Sequence, residues 1–365
     1  MKAKTVLILG KLPPPYMGPS VATEIILHSN LKNKFDLLHL DTKINTELGT
    51  FGKWKFGKVF KNISLYFKMA RMVSGKKPDL VLIPISQTTT GFFKDSIFIL
   101  IARLFGRKIL LHLRGSQFKV WVDDSSGLNR RYVKFILKKT KGVIVLGNKL
   151  RYIFELYFSP EKIFVVPNGS DYTFPAKTRS GEVKILYFSN LLAAKGVVDV
   201  FKAIEILSDK IKTGFSIDFV GEWYLPEDKK ACEEILKGKT LPVKIHSSKS
   251  GADKFKFLAD ADIFVFPPRE PEGHPWAIVE AMAAALPIIS TAKGAITESV
   301  IEGQNGFIIE ADRPEQIAEK LQLLIENETL RKKMGEESRN LYLSNFTEER
   351  MVEKLSAAFI KIIES

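Results

Sequence analysis

The sequence is poor in cysteine and in long apolar runs. One cysteine, Cys232, stands among 365 residues, which excludes an internal disulfide and favours a reducing compartment such as the cytoplasm. The longest apolar run, Ile97 to Ala102, is stopped by Arg103 and is much shorter than the roughly 20 residues of a membrane-spanning helix. We therefore expect a cytoplasmic protein without a spanning segment.

Acidic residues are scarce in the first half of the chain. Residues 1–175 contain 29 Lys and Arg against 11 Asp and Glu, a balance of +18. Residues 176–365 contain 26 against 30, a balance of −4. A net charge confined to one half predicts that this half faces an anionic partner, such as a membrane surface, a nucleic acid or a phosphorylated acceptor.

The glycine-rich fingerprint of dinucleotide-binding domains is also missing. No G-x-G-x-x-G follows the apolar runs at Val6–Leu9 or Val183–Phe188, where a Rossmann domain would carry it. This absence disfavours an NAD-dependent dehydrogenase.

The sequence does contain two series of short Val/Ile/Leu-rich runs that alternate with helical patterns, which predicts parallel sheets covered on both faces. The first series ends with a helical pattern at 148–157 and an apolar run at Ile163–Val166, and the last apolar run of the second series is Pro287–Ser290. A turn-rich, aliphatic-poor stretch at 167–181 separates the two series. We expect an N-terminal domain at 1–170 and a second domain at 171–345. The segment 346–365 is predicted as a helix that returns to the N-terminal domain, with an apolar face at Met351, Leu355, Phe359 and Ile362.

The string EPEGHPWAIVEAMAAALP, at 270–287, follows an apolar strand and leads into an alanine-rich helix. It places Glu272 in the loop before the helix and Glu280 on the helix, with seven residues between them. A helix N-terminus presents unpaired N–H groups and the positive end of its dipole, which suit a sugar phosphate. Glu280 is expected to accept hydrogen bonds from a ribose diol, and Glu272 from hydroxyls of the transferred sugar.

This string resembles the E-x7-E motif of family-4 retaining glycosyltransferases, whose helix continues E-A-M-A as it does here from Glu280. The resemblance implies the GT-B architecture, an α/β fold of two Rossmann-like doubly wound domains that face each other across a cleft. It also implies a nucleotide-diphosphate sugar as substrate, no cofactor, no metal and transfer with retention. The segment's other residues assigned to the sugar-donor site are His274, Trp276, Ala277 and Ile278.

A second stretch, at 186–207, runs from a strand through a loop into a helix, with Lys195 and Gly196 at the helix N-terminus. A lysine beside a glycine can approach a diphosphate closely and neutralise the leaving group. The family shows G-R-L-x-x-x-K-G here, whereas this chain has Ser189 and Asn190 in place of Gly-Arg. Lys195, Ser189 and Asn190 are all assigned to the sugar-donor site, and part of the missing arginine's role passes to Asn190 or to another basic residue.

Four residues of the first half are also assigned. Gly18 opens the helix after KLPPPYMGPS, so its backbone is expected near the donor phosphate or sugar, although the proline run can equally be a rigid turn. His112 ends a strand, and the resemblance implies that it bonds a donor-sugar hydroxyl and joins Glu272 as a catalytic residue. The alternative is a buried structural histidine. Arg114 and Ser116 follow and are expected on the acceptor side.

Two further strings match the family. The segment VVPNGSD, at 165–171, matches its interdomain P-N-G-x-D string. The residues expected at the nucleotide base are Ile245, His246 and Ser247.

Residues 51–77 contain eight basic residues and no acidic one. Phe56, Phe60, Ile63, Phe67 and Ala70 share one face of a predicted helix. A basic helix with an aromatic face can lie in a membrane interface, and the alternative is that this face packs on its own sheet. The residues assigned to membrane contact are Lys53, Trp54, Lys58, Lys61 and Lys68.

The resemblance thus implies a retaining, metal-independent hexosyltransferase, and we expect it to act in cell-surface polysaccharide or glycolipid synthesis. The N-terminal domain would hold the acceptor, which is a glycan or a lipid-linked molecule, and the C-terminal domain would hold the nucleotide sugar. The expected location is the cytoplasm, with peripheral attachment to the inner face of the plasma membrane, and no nucleic-acid partner is expected. Two alternatives stay open. A sugar-nucleotide epimerase would turn over sugar without an acceptor, whereas a basic RNA-binding protein would need stacking aromatics and leaves Glu272 and Glu280 unexplained.

Overall fold

The computed structural model describes residues 3–14, 16–43, 56–178, 181–211 and 214–365, and within 56–62 it describes the backbone alone. The chain divides into two compact units. Unit 1 comprises residues 1–170 and 348–365, and unit 2 comprises residues 171–347. Each unit is described by itself.

Unit 1 is built on a six-stranded parallel sheet in the order β2-β1-β3-β4-β5-β6. Its strands are β1 (Thr5–Gly10), β2 (Asp36–Asp41), β3 (Leu80–Ile85), β4 (Lys108–Leu113), β5 (Gly142–Val145) and β6 (Ile163–Val165). Its helices are α1 (Gly18–His28), α2 (Phe56–Gly75), α3 (Thr89–Leu104), α4 (Phe118–Asp123), α5 (Gly127–Leu137) and α12 (Glu348–Glu364). The strands β1, β3, β4 and β5 are mostly buried because helices cover both faces of the sheet.

Alternation along the strands divides the core of unit 1 between those two faces. Val6, Ile8 and Leu110 pack in one cluster with α1 and α12. The right-handed crossovers from β2 through β5 carry α2, α3 and α5 to the other face, where α3 contacts α2 and α5. The four predicted apolar residues of α12, from Met351 to Ile362, are all buried in the first cluster.

Unit 2 repeats the architecture with the strand order β12-β11-β10-β7-β8-β9, again parallel throughout. Its strands are β7 (Val183–Phe188), β8 (Phe215–Val220), β9 (Val243–His246), β10 (Ile263–Phe266), β11 (Ile288–Thr291) and β12 (Gly306–Ile309). Its helices are α6 (Val197–Lys210), α7 (Pro226–Leu236), α8 (Gly251–Asp260), α9 (Trp276–Ala283), α10 (Pro314–Glu326) and α11 (Glu328–Asn345). The predicted fold class, two doubly wound parallel α/β sheets, is confirmed.

Some predictions of single elements were wrong. The helix expected at 148–157 is a 3₁₀ turn at Asn148–Ile153. On α2 the face chosen from the aromatic spacing is turned outward at Ile63 and Phe67, and the side chains that pack inward are Leu65, Met69 and Val73. The core-packing alternative for this face is therefore wrong at those two residues. Lys53 and Trp54 lie outside the described residues, as do the side chains of Lys58 and Lys61, whereas Lys68 is exposed.

Candidate active site

The E-x7-E segment lies at the carboxyl end of β10, where ligands bind in open α/β sheets. Glu272 is in the loop before α9 and Glu280 is on α9. Gly294, with φ at +61°, allows the following loop to lie directly against Glu272, because a Cβ there would overlap the Glu272 carbonyl oxygen. The next residue, Ala295, donates its N–H to the Gly273 carbonyl at 3.2 Å. The backbone of Glu272 is thus fixed by a glycine that sequence reasoning missed.

The loop after β7 meets this segment. Gly196 has φ at +81°, and a Cβ at this position would overlap the Pro267 carbonyl, so only glycine permits the approach. Lys195 donates its ammonium to Oε1 of Glu272, with side-chain exposures of 29% and 16%. Two residues singled out separately in the sequence, 77 positions apart, therefore form one half-buried ion pair.

A second lysine pairs with the other glutamate. Glu280 is 4% exposed, and Lys254 on α8 donates to its Oε1. Burial raises the pKa of Glu280, and the neighbouring ammonium opposes that rise. Lys254 also lies 5.4 Å from the ring centroid of Phe188, one residue before Ser189. Sequence reasoning missed Lys254, although it stands four residues before the buried Leu258 and hence on the inward face of α8.

A partly buried arginine joins the two loops. The guanidinium of Arg269 makes a bidentate pair with Asp199 at 2.6 and 2.8 Å, and the backbone N–H of Arg269 donates to the Ala194 carbonyl at 3.0 Å. Asp228 accepts the N–H of Ala193 at 2.8 Å. These bonds hold the turn that presents Lys195. They involve pairs distant in sequence, so no local pattern predicts them.

The remaining assigned residues of unit 2 divide by what their side chains touch. His274 is buried, lies 2.7 Å from the Ser299 hydroxyl and packs on Phe346, so a contact to a sugar donor would have to come from its backbone. Ile278 is in the core. Trp276 and Ala277 form the first turn of α9, where N–H groups lack intrahelical acceptors.

Asn190 and the expected base-binding residues lie at the carboxyl ends of β7 and β9. Asn190 is exposed, and Ser189 donates its N–H to the Val220 carbonyl at 3.2 Å. At the end of β9, Ile245 is exposed and His246 lies 2.6 Å from a carboxylate oxygen of Asp218. Ser247, also exposed, follows it.

In unit 1, His112 and Arg114 lie at the end of β4 beside α1. Arg114 bonds the Pro19 carbonyl, the Thr23 hydroxyl at 2.6 Å and Nδ1 of His112 at 3.5 Å. Because Arg114 Nε can only donate, Nδ1 of His112 accepts and its proton resides on Nε2. Burial and the neighbouring guanidinium hold the pKa of His112 well below its usual value, so the ring is neutral. Burial lowers the pKa of Arg114 to about 10.

Two buried atoms of this cluster, Nε2 of His112 and Nη2 of Arg114, have no hydrogen-bond partner in the described structure. Buried polar atoms without partners are uncommon and mark candidate ligand contacts. Gly18 is exposed at the N-terminus of α1, and Ser116 is buried in the loop after β4. The structure thus groups Arg114 and His112 with the turn that begins at Gly18.

Among the described residues, no group of three or more His, Cys, Asp or Glu side chains has the geometry of a metal site. Nor does any described helix have the length and apolarity needed to cross a membrane.

Residues 171–341 match the family model of glycosyl transferases group 1. An uncharacterized glycosyltransferase of Methanocaldococcus jannaschii is 26% identical over 300 residues, covering 76% of this chain and 75% of the relative. A second one from that organism is 33% identical over 152 residues, and this match spans 42% of the relative's length.

Solved structures show the same fold over the whole chain. A Rickettsia africae glycosyltransferase superimposes with a TM-score of 0.75 at 19% identity, covering both chains completely. Anabaena HepE, solved with UDP and glucose, gives a TM-score of 0.71 at 18% identity and covers 97% of this chain and 98% of its own. Residues 171–341 are therefore a glycosyl transferases group 1 domain, and the chain has the GT-B fold of the family-4 retaining glycosyltransferases, the family that its E-x7-E segment resembles.

Proposed function

We propose that the protein transfers a sugar, with retention, from a nucleotide-diphosphate sugar to a glycan or lipid-linked acceptor. The observation that carries the proposal is the Lys195–Glu272 ion pair at the carboxyl end of the unit 2 sheet. It joins a cation suited to a diphosphate with a carboxylate suited to sugar hydroxyls. HepE and a pneumococcal O-GlcNAc transferase, both similar in fold, were solved with UDP, which supports a uridine nucleotide as the first donor to test.

In this proposal the Lys195 ammonium exchanges its ion-pair partner when the donor binds. When a nucleotide sugar enters, the Lys195 ammonium moves from Glu272 to the diphosphate, and the freed carboxylate accepts bonds from the sugar. The leaving-group charge is then met by Lys195 and by the first N–H groups of α9, so that developing charge is stabilised without reorganisation. In this scheme the leaving phosphate takes the acceptor's proton.

The second ion pair orients the nucleotide. Lys254 occupies Oε1 of Glu280, which leaves Oε2 for the ribose diol. We also assign to Lys254 part of the role of the arginine that Asn190 replaces, because its ammonium lies above the ring of Phe188, next to Ser189. Sequence alone left that compensating residue unidentified.

The roles of unit 1 follow from the resemblance and from its partnerless atoms. Nε2–H of His112 is the donor for a sugar hydroxyl, and Arg114 with Ser116 serves the acceptor. Two relatives from Staphylococcus aureus, a capsular polysaccharide biosynthesis glycosyltransferase and a poly(ribitol-phosphate) alpha-N-acetylglucosaminyltransferase, support a surface polysaccharide or glycolipid as product. A lipid-linked acceptor places the enzyme on the cytoplasmic face of the plasma membrane.

A thermal-shift screen of nucleotide sugars tests the proposal. The matching donor, at about a hundred times its dissociation constant, should stabilise the protein by roughly 2.7 kcal/mol. A Lys195→Ala variant should lose part of this stabilisation, and Lys202→Ala, at an exposed lysine on α6, is the matched control. If no nucleotide sugar raised the melting temperature of the wild-type protein, the proposal would be wrong.

A further inference from the structure

Helix α3 carries an apolar stripe on its outward side. Phe93, Ile97, Leu100 and Leu104 are spaced by four, three and four residues, so they share one face of the helix. Their exposed fractions are 44, 38, 38 and 82%. The opposite side of α3 already fills the core with Phe92, Phe98 and other buried residues. An outward stripe of large apolar side chains on a helix whose inner face is satisfied marks an interaction surface.

The neighbouring helices extend this stripe. Tyr66 of α2 packs edge-on against Phe98, with centroids 4.9 Å apart, and Phe93 stacks on Tyr132 of α5 at 4.5 Å. These contacts place α2, α3 and α5 side by side in one layer. The outward apolar residues of this layer, here called the apolar face, are Ile63, Phe67, Phe93, Ile97, Leu100, Leu104, Leu128 and Phe135.

The charge on the same three helices has one sign. Their sequences contain nine Lys and Arg and a single acidic residue, Asp95. Asp95 is 6% exposed and accepts the backbone N–H of Ser86 at 2.8 Å, so it does not face outward. The described basic side chains that are exposed on these helices are Lys68, Arg71, Arg103, Arg130, Arg131 and Lys134.

The combination of apolar and basic side chains on this layer indicates which partner it binds. A second copy in a two-fold dimer would place the same face against itself, with basic residues opposite basic residues and no carboxylates to pair with them. An anionic lipid surface supplies phosphate charges for the basic side chains and an acyl boundary for the apolar ones.

We propose that the layer formed by α2, α3 and α5 is a membrane-docking surface for an anionic bilayer. This proposal rests on the proposed function, since a lipid-linked acceptor is the reason for the enzyme to be at a membrane. Docking would bring unit 1 to that acceptor. The docking surface extends well beyond the basic segment 51–77, since half of the apolar face lies on α3 and a further part on α5.

Vesicle co-sedimentation of the full chain tests this surface. Wild-type protein should bind vesicles of phosphatidylcholine with about a third phosphatidylglycerol, and should bind pure phosphatidylcholine at least about tenfold more weakly. Arg103→Gln with Lys134→Gln should lower binding to the anionic vesicles, with the difference fading at high salt. Lys332→Gln with Lys333→Gln removes the same charge from exposed positions on α11 in unit 2 and should change nothing.

The apolar stripe has its own matched pair. Ile97→Ser with Leu104→Ser should lower binding at high salt as well, whereas Ile360→Ser, at a 46% exposed position on α12, should not. Phe67→Ser, at a 72% exposed site, provides a second apolar variant that does not depend on the fold of α3. All variants should melt like the wild type, because none removes a buried side chain.

Three outcomes would overturn the proposal. They are failure of the wild type to bind anionic vesicles, equal binding by the variants and the wild type, and a lipid-free dimer that the apolar variants convert to monomer. Binding of nucleotide sugar, measured on the same proteins without lipid, separates this proposal from the enzymatic one. The docking variants should keep it, and a wild-type protein that binds vesicles but no nucleotide sugar would contradict only the proposed function.

Discussion

Replacing Lys195 with alanine should lower the turnover of the nucleotide sugar about 10² to 10³-fold, equivalent to about 3 to 4 kcal/mol in the barrier. The ammonium is held beside Glu272 by a turn that is fixed both from within and by neighbouring elements. The backbone N–H of Lys195 donates to the Leu192 carbonyl at 2.9 Å, and its carbonyl accepts the Tyr187 hydroxyl of β7 at 3.1 Å. Such a preorganised cation stabilises charge that develops on the leaving diphosphate, so its loss should lower kcat more than it raises KM.

Two further variants sharpen this expectation. Because Asn190 stands where the family has arginine, Asn190→Arg in the Lys195→Ala background should restore part of the turnover. Lys254→Met should also reduce turnover if it shares the missing arginine's role, whereas Lys202→Ala should behave like the wild type. Unchanged steady-state kinetics in a folded Lys195→Ala protein would refute the role of this lysine.

The two glutamates should respond differently to replacement by glutamine. Glu272→Gln is expected to lower kcat by roughly 10²-fold, since the contact with the transferred sugar strengthens in the transition state. Its affinity for the free nucleoside diphosphate should be kept or increased, because glutamine releases the Lys195 ammonium from its ion pair.

Glu280→Gln should mainly weaken donor binding. Hydrogen bonds to a charged group contribute about 1.5 to 3 kcal/mol, so the dissociation constant should rise by roughly 10-fold or more with little change in kcat. Calorimetric titration with the nucleoside diphosphate, beside steady-state kinetics, separates the two cases. Equal effects of both substitutions on affinity and turnover would show that the assignment of roles is wrong.

The pH dependence of donor binding follows from the same site. Burial raises the pKa of Glu280, so its carboxylate is protonated at a higher pH than an exposed glutamate, and Lys254 limits that rise. The ribose contact, which needs the ionised form, is therefore complete above the raised pKa and weakens as the pH falls through it.

The fold was predictable because most strands appear in the sequence as uninterrupted Val/Ile/Leu runs. The strand β12 was missed because its apolar run, Phe307 to Ile309, has only three residues and stands between Gly306 and Glu310. The helix α10 could have been predicted from Ile317, Leu321 and Leu324, which follow a helical spacing.

The residues of the candidate site were predictable only where they belong to a local sequence motif. Glu272, Glu280 and Lys195 follow from their motifs, but their ion pairs could not be predicted because each joins residues 26 to 77 positions apart. Gly294 and Arg269 act by supporting those motifs from other loops. The outward turn of Phe67 could not be foreseen either, since an amphipathic pattern identifies an apolar stripe without showing which of two apolar sides faces the sheet.

If the chain cleaves a nucleotide sugar with retention, the released sugar keeps the anomeric configuration of the donor. Proton NMR of the sugar released from an α-linked nucleotide sugar, recorded in water without acceptor and before mutarotation, measures that configuration. We expect the α-anomer of the unaltered sugar to appear first, and Glu272→Gln and Lys195→Ala to slow its release. First appearance of the β-anomer, or of a sugar epimerised at a ring carbon, would contradict it.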